Sequence, residues 1–245
     1  MTIILTNDDG IGAPGIEALR SAITEETIVV APDRQYSGCG HQVTTQSSIR
    51  VEQRSPKDYA VSGTPADCTR VAIAQLCPQI DWILSGINSG GNMGVDEYIS
   101  GTVAAVREAA FHGINSIAIS QYRQGKRIPG RLEKSEIDWE GAKRRTQKVL
   151  EKLMSRPCEP GTFWNVNLPA LDPDDREPEI VFCRPSIRPL PLNYRIEGEY
   201  FTYVGSYQNR ERTPGTDVDI CFGGNIAISQ LSVSLKPPVP VMGNW

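Results

Sequence analysis

The first half of the chain alternates short β-branched apolar runs with helix-like segments, and that rhythm constrains the fold more than any other property. Thr2 to Thr6, Thr27 to Ala31, Trp82 to Ser85 and Ser116 to Ser120 have the length and Ile/Val content of strands buried on both faces. Between them, Gly15 to Thr24 follows Pro14, Ala66 to Leu76 follows Thr64-Pro65, and the Ala-rich Thr102 to Phe111 ends before Gly113. These are helix starts with Pro in the first turn and, at Gly113, a C-terminal cap. The repetition implies an α/β fold with a parallel sheet and right-handed crossovers. Ligands of such sheets bind at the carboxyl ends of the strands, so the loops leaving these four runs are where chemistry is expected.

Beyond Ser120 the rhythm loosens. Gln121 to Ser135 is polar and basic and reads as a long loop, Trp139 to Met154 as a helix, and Phe163 to Leu168 and Glu179 to Arg184 as strands. Lys143, Arg144 and Arg145 are read as a solvated helix face. From Pro185 to Gly224 the sequence turns Pro-, Arg- and Tyr-rich, which predicts hairpins outside the main sheet. The aromatics Tyr194, Tyr200, Phe201, Tyr203 and Tyr207 are expected to contact the core or another subunit. Ile226 to Val233 alternates as a last strand before the Pro-rich tail Lys236 to Pro240.

With 25 Lys+Arg against 29 Asp+Glu and a net charge of −4, the 245-residue chain lacks the basic footprint of a nucleic-acid polymer or anionic-membrane binder. No apolar run nears the ~20 residues of a membrane span, and Asn7-Asp8-Asp9 interrupts the N-terminal apolar stretch. A cytoplasmic protein is expected. The six cysteines contain no C-x-x-C pair and read as reduced packing residues. His41 and His112 are the only histidines, so metal chemistry within one chain must use oxygen ligands.

Ile3-Ile4-Leu5-Thr6 runs straight into Asn7-Asp8-Asp9-Gly10. Two carboxylates at the end of a buried strand require compensation, by a divalent cation or by hydrogen bonds; the alternative is that one of them caps the following turn or helix. Gly10, Gly12 and Gly15 overlap this motif as G-x-G-x-x-G, with Asp33 after the second strand, the outline of a dinucleotide fingerprint. Pro14 removes a backbone donor from that helix start, and Asp8 and Asp9 would repel a pyrophosphate. In the second loop, Ser37 reads as a hard-metal donor, a nucleophile or a turn residue beside Gly38, and His41 as an available general acid or base. No G-x-S-x-G elbow and no P-loop occur.

The third loop, Ser85-Gly86-Ile87-Asn88 through Gly90-Gly91-Asn92 to Ser100-Gly101-Thr102, supplies carboxamides and a helix N-terminus suited to an anion, or simply an N-cap. Two carboxylates, a hydroxyl, carboxamides and that helix start would hold a hard divalent ion beside a phosphate. Such an ion polarises a phosphoryl oxygen and lowers the pKa of water, the chemistry of phosphomonoester hydrolysis.

These segments resemble the SurE family, the survival-protein nucleotidases. The resemblance rests on Thr6-Asn7-Asp8-Asp9-Gly10 with Ala13-Pro14-Gly15, Ala31-Pro32-Asp33-Arg34 with Ser37-Gly38, and Gly63-Thr64-Pro65 with Asp67-Cys68. It continues through Ser85-Gly86-Ile87-Asn88, Ser100-Gly101-Thr102-Val103, Asn165-Val166-Asn167-Leu168-Pro169 and Gly215-Thr216-Asp217, in order along nearly the whole chain. It implies a Rossmann-like three-layer sandwich with a mostly parallel sheet over about residues 1–184. A β-hairpin arm for homodimer or homotetramer assembly follows over about 185–225, then a final strand and tail over 226–245. It further implies a 5′-nucleotidase, active on nucleoside 5′-monophosphates and, as a further expectation, on 3′-monophosphates, with one divalent cation (Mg²⁺, Mn²⁺ or similar) per subunit. The implied metal ligands are Asp8, Asp9, Ser37 and Asn88, with Asp8 and Asp9 also catalytic, and Asn7, Asn92, Ser100, Gly101 and Thr102 lining the phosphate. Where the family usually has Tyr before Ser-Gly-Thr, this chain has Ile99, with Tyr98 one place earlier, and the family's Gly-Pro-Asn stands here as Gly90-Gly91-Asn92. The alternative is a non-hydrolytic nucleotide- or dinucleotide-binding module using Gly10, Gly12 and Gly15.

Overall fold

The computed structural model describes residues 1–128, 131–172 and 175–233, with 126–128 and 131–134 described by backbone alone. The elements are β1 (Ile3–Thr6), α1 (Pro14–Ser21), β2 (Thr27–Pro32), β3 (Val51–Ser55), β4 (Asp58–Val61), α2 (Pro65–Val71), β5 (Trp82–Ser89) and α3 (Gly101–Phe111). There follow β6 (Asn115–Gln121), β7 (Gly125–Ile128), β8 (Arg131–Lys134), α4 (Trp139–Leu153), β9 (Thr162–Leu168), β10 (Ile180–Phe182), β11 (Tyr194–Glu197), β12 (Tyr200–Tyr203), α5 (Asp217–Phe222) and β13 (Ile226–Ser232).

Nine strands form one sheet in the order β10-β13-β9-β6-β5-β1-β2-β4-β3. From β9 to β4 every neighbouring pair is parallel, and antiparallel pairing enters only at β13 against β9 and β3 against β4. The period of two divides β1 between the faces. Ile3 and Leu5 join the layer under α1 and α4 with Ile16, Leu19, Val149 and Leu153, while Ile4 joins the layer under α2 and α3 with Val30, Cys68, Ile83 and Ala109. Ile3, Ile4 and Leu5 have no exposed surface, and each such side chain contributes roughly 1.5–3 kcal/mol on burial. Helices on both faces of a mostly parallel sheet make a Rossmann-like α/β sandwich.

The helices begin where the residues predict. Pro14 occupies the first turn of α1, Thr64 and Asp67 form a reciprocal capping box on α2, and Ser100 Oγ accepts from Val103 N at 3.1 Å to cap α3. Gly113, at φ +72°, follows the C-cap of α3 and donates to Ala110 O, the left-handed end the sequence suggested.

Several expectations are corrected. Helix α2 stops at Val71 and continues as a π-wound turn over Ala72–Leu76. The strand expected over Trp82–Ser85 runs on to Ser89, with a register shift between Ser85 and Asn88 that carries Asn88 into the sheet edge. The segment read as a loop holds the β7–β8 hairpin, and the strand expected over Glu179–Arg184 narrows to Ile180–Phe182. The β3–β4 hairpin gave no sequence signal because β3 is almost wholly exposed. The expected hairpin is present as β11–β12, while the tail Lys236 to Pro240 lies outside the described residues. All six cysteines are free thiols. Among the described residues, no helix is long and apolar enough to cross a membrane.

Candidate active site

Strand β1 lies between β2 and β5, and the chain leaves it toward β2 before returning on its other side as β5. The crevice at such a reversal is where open α/β sheets bind ligands. Asp8 and Asp9 emerge there from β1, Ser37 from the loop after β2, Asn88 from the end of β5, and the N-terminus of α3 comes up beside Asp8. The contact is close: a Cβ on Gly101 would meet Asp8 Cβ at 2.8 Å and Cys39 Sγ at 3.0 Å.

Asp8 is buried, accepting from Thr102 Oγ1 at 2.7 Å on Oδ1, while its main-chain oxygen accepts from Tyr36 N at 2.7 Å. Burial pushes its carboxyl pKa up from 3.8 to about 6; the Thr102 bond opposes that rise and the neighbouring Asp9 charge adds to it. A carboxyl so placed has reason to hold either a proton or a cation. Asp9 is half-buried, its Oδ2 accepting from Ser89 N at 3.2 Å and its Oδ1 from Gln35 Nε2 at 3.2 Å. The same Gln35 nitrogen donates to Ser37 Oγ at 2.8 Å. One electropositive N–H₂ group thus bridges Asp9 and Ser37. Asn88 donates its amide nitrogen to Gly90 O at 2.9 Å, which leaves the carbonyl oxygen as the atom it can offer a metal. Among the described residues no three His, Cys, Asp or Glu gather as a metal cage. Two carboxylates with neutral oxygens are a donor set that would fit a hard cation.

The remaining expected residues divide. Asn7 is turned inward: its Nδ2 donates to Gly10 O at 2.8 Å and its Oδ1 accepts from Gly10 N at 3.2 Å, closing the turn that presents Asp8 and Asp9. Gly10 takes φ +100° in that turn, a value favouring glycine. Asn92 is buried in a polar ladder, donating to Ser120 Oγ and Asn167 Oδ1 and accepting on its main-chain oxygen from Asn165 and Asn167. Ser100 caps α3, so the N–H groups of Gly101 and Thr102 are the donors that helix end presents next. His41 is directed elsewhere: its Nε2 lies 2.8 Å from Glu108, a buried carboxylate that also takes Arg70 at 2.9 Å. Burial works to raise the Glu108 pKa, but those two partners hold it below the usual range.

Sequence reasoning assigned no site role to several contributors. Gln35 carried no signal, because its partners come from two separate loops. The Asn165-Val166-Asn167 alternation puts both carboxamides on one face of β9, a pattern visible in sequence although its partner, Asn92, was not. From beyond the core, Arg210 donates to Asp96 Oδ2 at 2.6 Å and Tyr207 OH to the same oxygen at 2.7 Å. Asp217 accepts from Gly94 N at 2.6 Å and Ser186 N at 2.8 Å. These contacts pin the loop that leads from Asn92 to Ser100.

Comparison with known proteins converges on one group. The family described as Survival protein SurE matches residues 3–189. A protein of Nostoc sp., provisionally named a 5′-nucleotidase, is 59% identical over 234 residues, covering 95% of this chain and all of the relative. The 5′-nucleotidase SurE of Methylorubrum extorquens (strain PA1) is 33% identical over 246 residues, covering 96% of this chain and 94% of its own. The crystal structure of a SurE protein from Aquifex aeolicus superposes with a TM-score of 0.83 at 30% identity, over 97% of this chain and 95% of that one.

Proposed function

The chain belongs to the SurE family, and from that premise we propose that it is a divalent-metal-dependent 5′-nucleotidase hydrolysing nucleoside monophosphates at the β1–β2–β5 crevice. The observation that carries the reading is the Gln35 amide bridging Asp9 and Ser37 beside a buried Asp8 whose pKa is raised to about 6. That donor set suits Mg²⁺ or Mn²⁺, held by Asp8, Asp9, Ser37 and Asn88. When bound, such a cation supplies Lewis-acid polarisation of the phosphoryl oxygen and acidifies water. The protein's own groups do the rest. Thr102 fixes Asp8 Oδ1 and leaves Oδ2 to orient water or take its proton. Backbone N–H groups of Gly101 and Thr102, at the positive end of α3, face the phosphate oxygens. Asn7 and Asn92 hold the two loops rather than the substrate, and hydrolysis of 3′-monophosphates at the same centre belongs to the same reading.

Assembly as a homodimer or homotetramer is part of the proposal. In β11–β12, Tyr194 pairs with Tyr203 and Ile196 with Phe201, so the period of two gathers four large side chains on one exposed face. A two-stranded hairpin is marginal in water by itself, and a second copy of the chain would cover that face.

The test is phosphate release from nucleoside monophosphates with Mg²⁺ or Mn²⁺, repeated with excess EDTA and with Asp8→Asn. Turnover abolished by EDTA and by the variant is expected. A folded protein inactive with either metal would sink the assignment and favour the non-hydrolytic binding module.

A further inference from the structure

Between β2 and β3 the chain crosses residues 33–50 without helix or strand, and none of those residues is buried. Ser37 lies in this stretch, so its place is set by polar anchors rather than by packing. Tyr36 N donates to Asp8 O at 2.7 Å and Gly40 N to Ile99 O at 3.1 Å. Thr64 Oγ1 donates to Gln42 O at 2.6 Å, and Thr44 donates to the two oxygens of Asp67 at 2.8 and 2.7 Å. A further anchor is His41, whose Nε2 lies 2.8 Å from Glu108 Oε2.

Glu108 is where three elements meet. It is buried on α3, takes Arg70 of α2 on Oε1 at 2.9 Å, and has His112, one turn along its own helix, 3.4 Å from the same oxygen. Both histidines of the chain therefore converge on one carboxylate. Because that carboxylate is ionised, Nε2 of His41 is the donor, and Phe111 packs beside the imidazole with 5.6 Å between ring centres.

The helix is the one that also fixes Asp8. Thr102, whose Oγ1 donates to Asp8, stands on α3 roughly 9 Å from Glu108 along the axis. Asp8 and the Ser37 loop are thus referred to one rigid frame, the first through Thr102 and the second through His41. Between Ser37 and His41 the chain is Gly38-Cys39-Gly40, with the glycines in the left-handed region at φ +72° and +59°. Such a link has little stiffness of its own, so Ser37 is located only when both ends are held. Tyr36 holds one end; Gly40 and His41 hold the other, and His41 makes the bond to a charge.

We propose that His41 is a positioning residue for the metal site: its bond to Glu108 clamps the Ser37 loop to α3 and keeps Ser37 at the Asp8–Asp9 edge. The inference rests on the metal-dependent reading above. It gives the histidine that the sequence offers as a general acid or base a role without proton transfer.

The experiment is calorimetric titration of Mn²⁺ into wild type, His41→Ala, His41→Gln and Arg70→Ala, a binding readout that needs no turnover. His41→Ala weakens Mn²⁺ binding about tenfold, the low end for loss of a group that supports a metal ligand. His41→Gln, whose amide nitrogen can donate to Glu108 in place of Nε2, stays within about threefold of wild type. His41→Asn, too short for that bond, behaves as His41→Ala and replaces it if the alanine variant does not fold. Arg70→Ala takes a partner from Glu108 without touching the loop; it lowers stability and leaves Mn²⁺ binding within about twofold. In EDTA, amide exchange over residues 36–44 quickens in His41→Ala and not in Arg70→Ala. Unchanged Mn²⁺ binding in His41→Ala, no rescue by His41→Gln, or an equal loss in Arg70→Ala overturns the inference and leaves the nucleotidase reading standing. Wild type that binds no Mn²⁺ defeats the metal reading and the inference together.

Discussion

The crevice around Asp8 and the hairpin β11–β12 handle their side chains in opposite ways. At the strand ends the polar groups are buried or half-buried and answered within the chain: Asp8 by Thr102, Asp9 by Gln35 and Ser89, Asn7 by Gly10, Asn92 by Asn167 and Ser120. On the hairpin, large apolar groups stand in water, with Ile196 61% and Phe201 64% exposed. The first region is organised within one chain; the second leaves an apolar face open, the face on which a second copy of the chain is proposed to dock. The comparison teaches that the chemistry and the assembly can be broken separately.

The largest effect is expected at Asp8. Asp8→Asn or Asp9→Asn should lower kcat/KM at least a hundredfold, measured as phosphate release. Stability should move the other way for Asp8. Its carboxyl pKa is higher in the folded chain than in the unfolded one, so in metal-free protein its contribution is most favourable below 3.8 and declines as pH rises toward about 6. Asp8→Asn therefore stabilises the EDTA-treated protein at pH 7 by about 1–3 kcal/mol, and the gain over wild type vanishes near pH 4 in thermal unfolding. A variant no more stable than wild type at pH 7 contradicts the account of Asp8 as a buried charge awaiting a cation.

Next in size is Gly101→Ala, whose methyl would press on Asp8, Cys39 and Pro65. Overpacking of this kind costs about 1–3 kcal/mol, and the push on Asp8 should reduce turnover about tenfold; unaltered turnover would mean that the α3 N-terminus does not set the Asp8 position. On the hairpin, Ile196→Ser with Phe201→Ser should shift the mass seen by light scattering toward monomer, with turnover per subunit within about twofold. A large loss of turnover there would mean that the two regions are not separable. The smallest change is Ser100→Ala, which removes the α3 cap and lowers unfolding free energy by about 1 kcal/mol in denaturant titration.

What could be read in the sequence tracks how many faces of an element are buried. Strands β1, β2 and β6 lie in the middle of the sheet, so their residues form unbroken apolar runs, and their expected limits fall within a residue or so of those observed. Strand β3, Val-Glu-Gln-Arg-Ser on an exposed edge, has no inward face to impose a pattern. The same logic holds at the site. Asp8, Asp9, Ser37 and Asn88 come together because parallel strands deliver their loops to one edge, a topological matter that the alternation of strands and helices makes visible. Gln35 was not legible, since meeting Asp9 and Ser37 at once depends on how two loops fold against each other. Nor could sequence reveal that Asn7 points inward, because the direction of a carboxamide is decided by the turn it closes.

The placement of β13 has a consequence for biosynthesis. Strand β10 has no partner until residues 226–232 insert between it and β9, whereas the strands that carry the acidic pair are mutually paired once residue 121 is made. On a ribosome these central strands can pair first. A nascent chain then exposes β9 as a sticky edge until β13 arrives. Translation that stalls between residues 182 and 226 would therefore yield a molecule with β1, β2, β5 and β6 paired and an open sheet, prone to aggregate rather than to assemble.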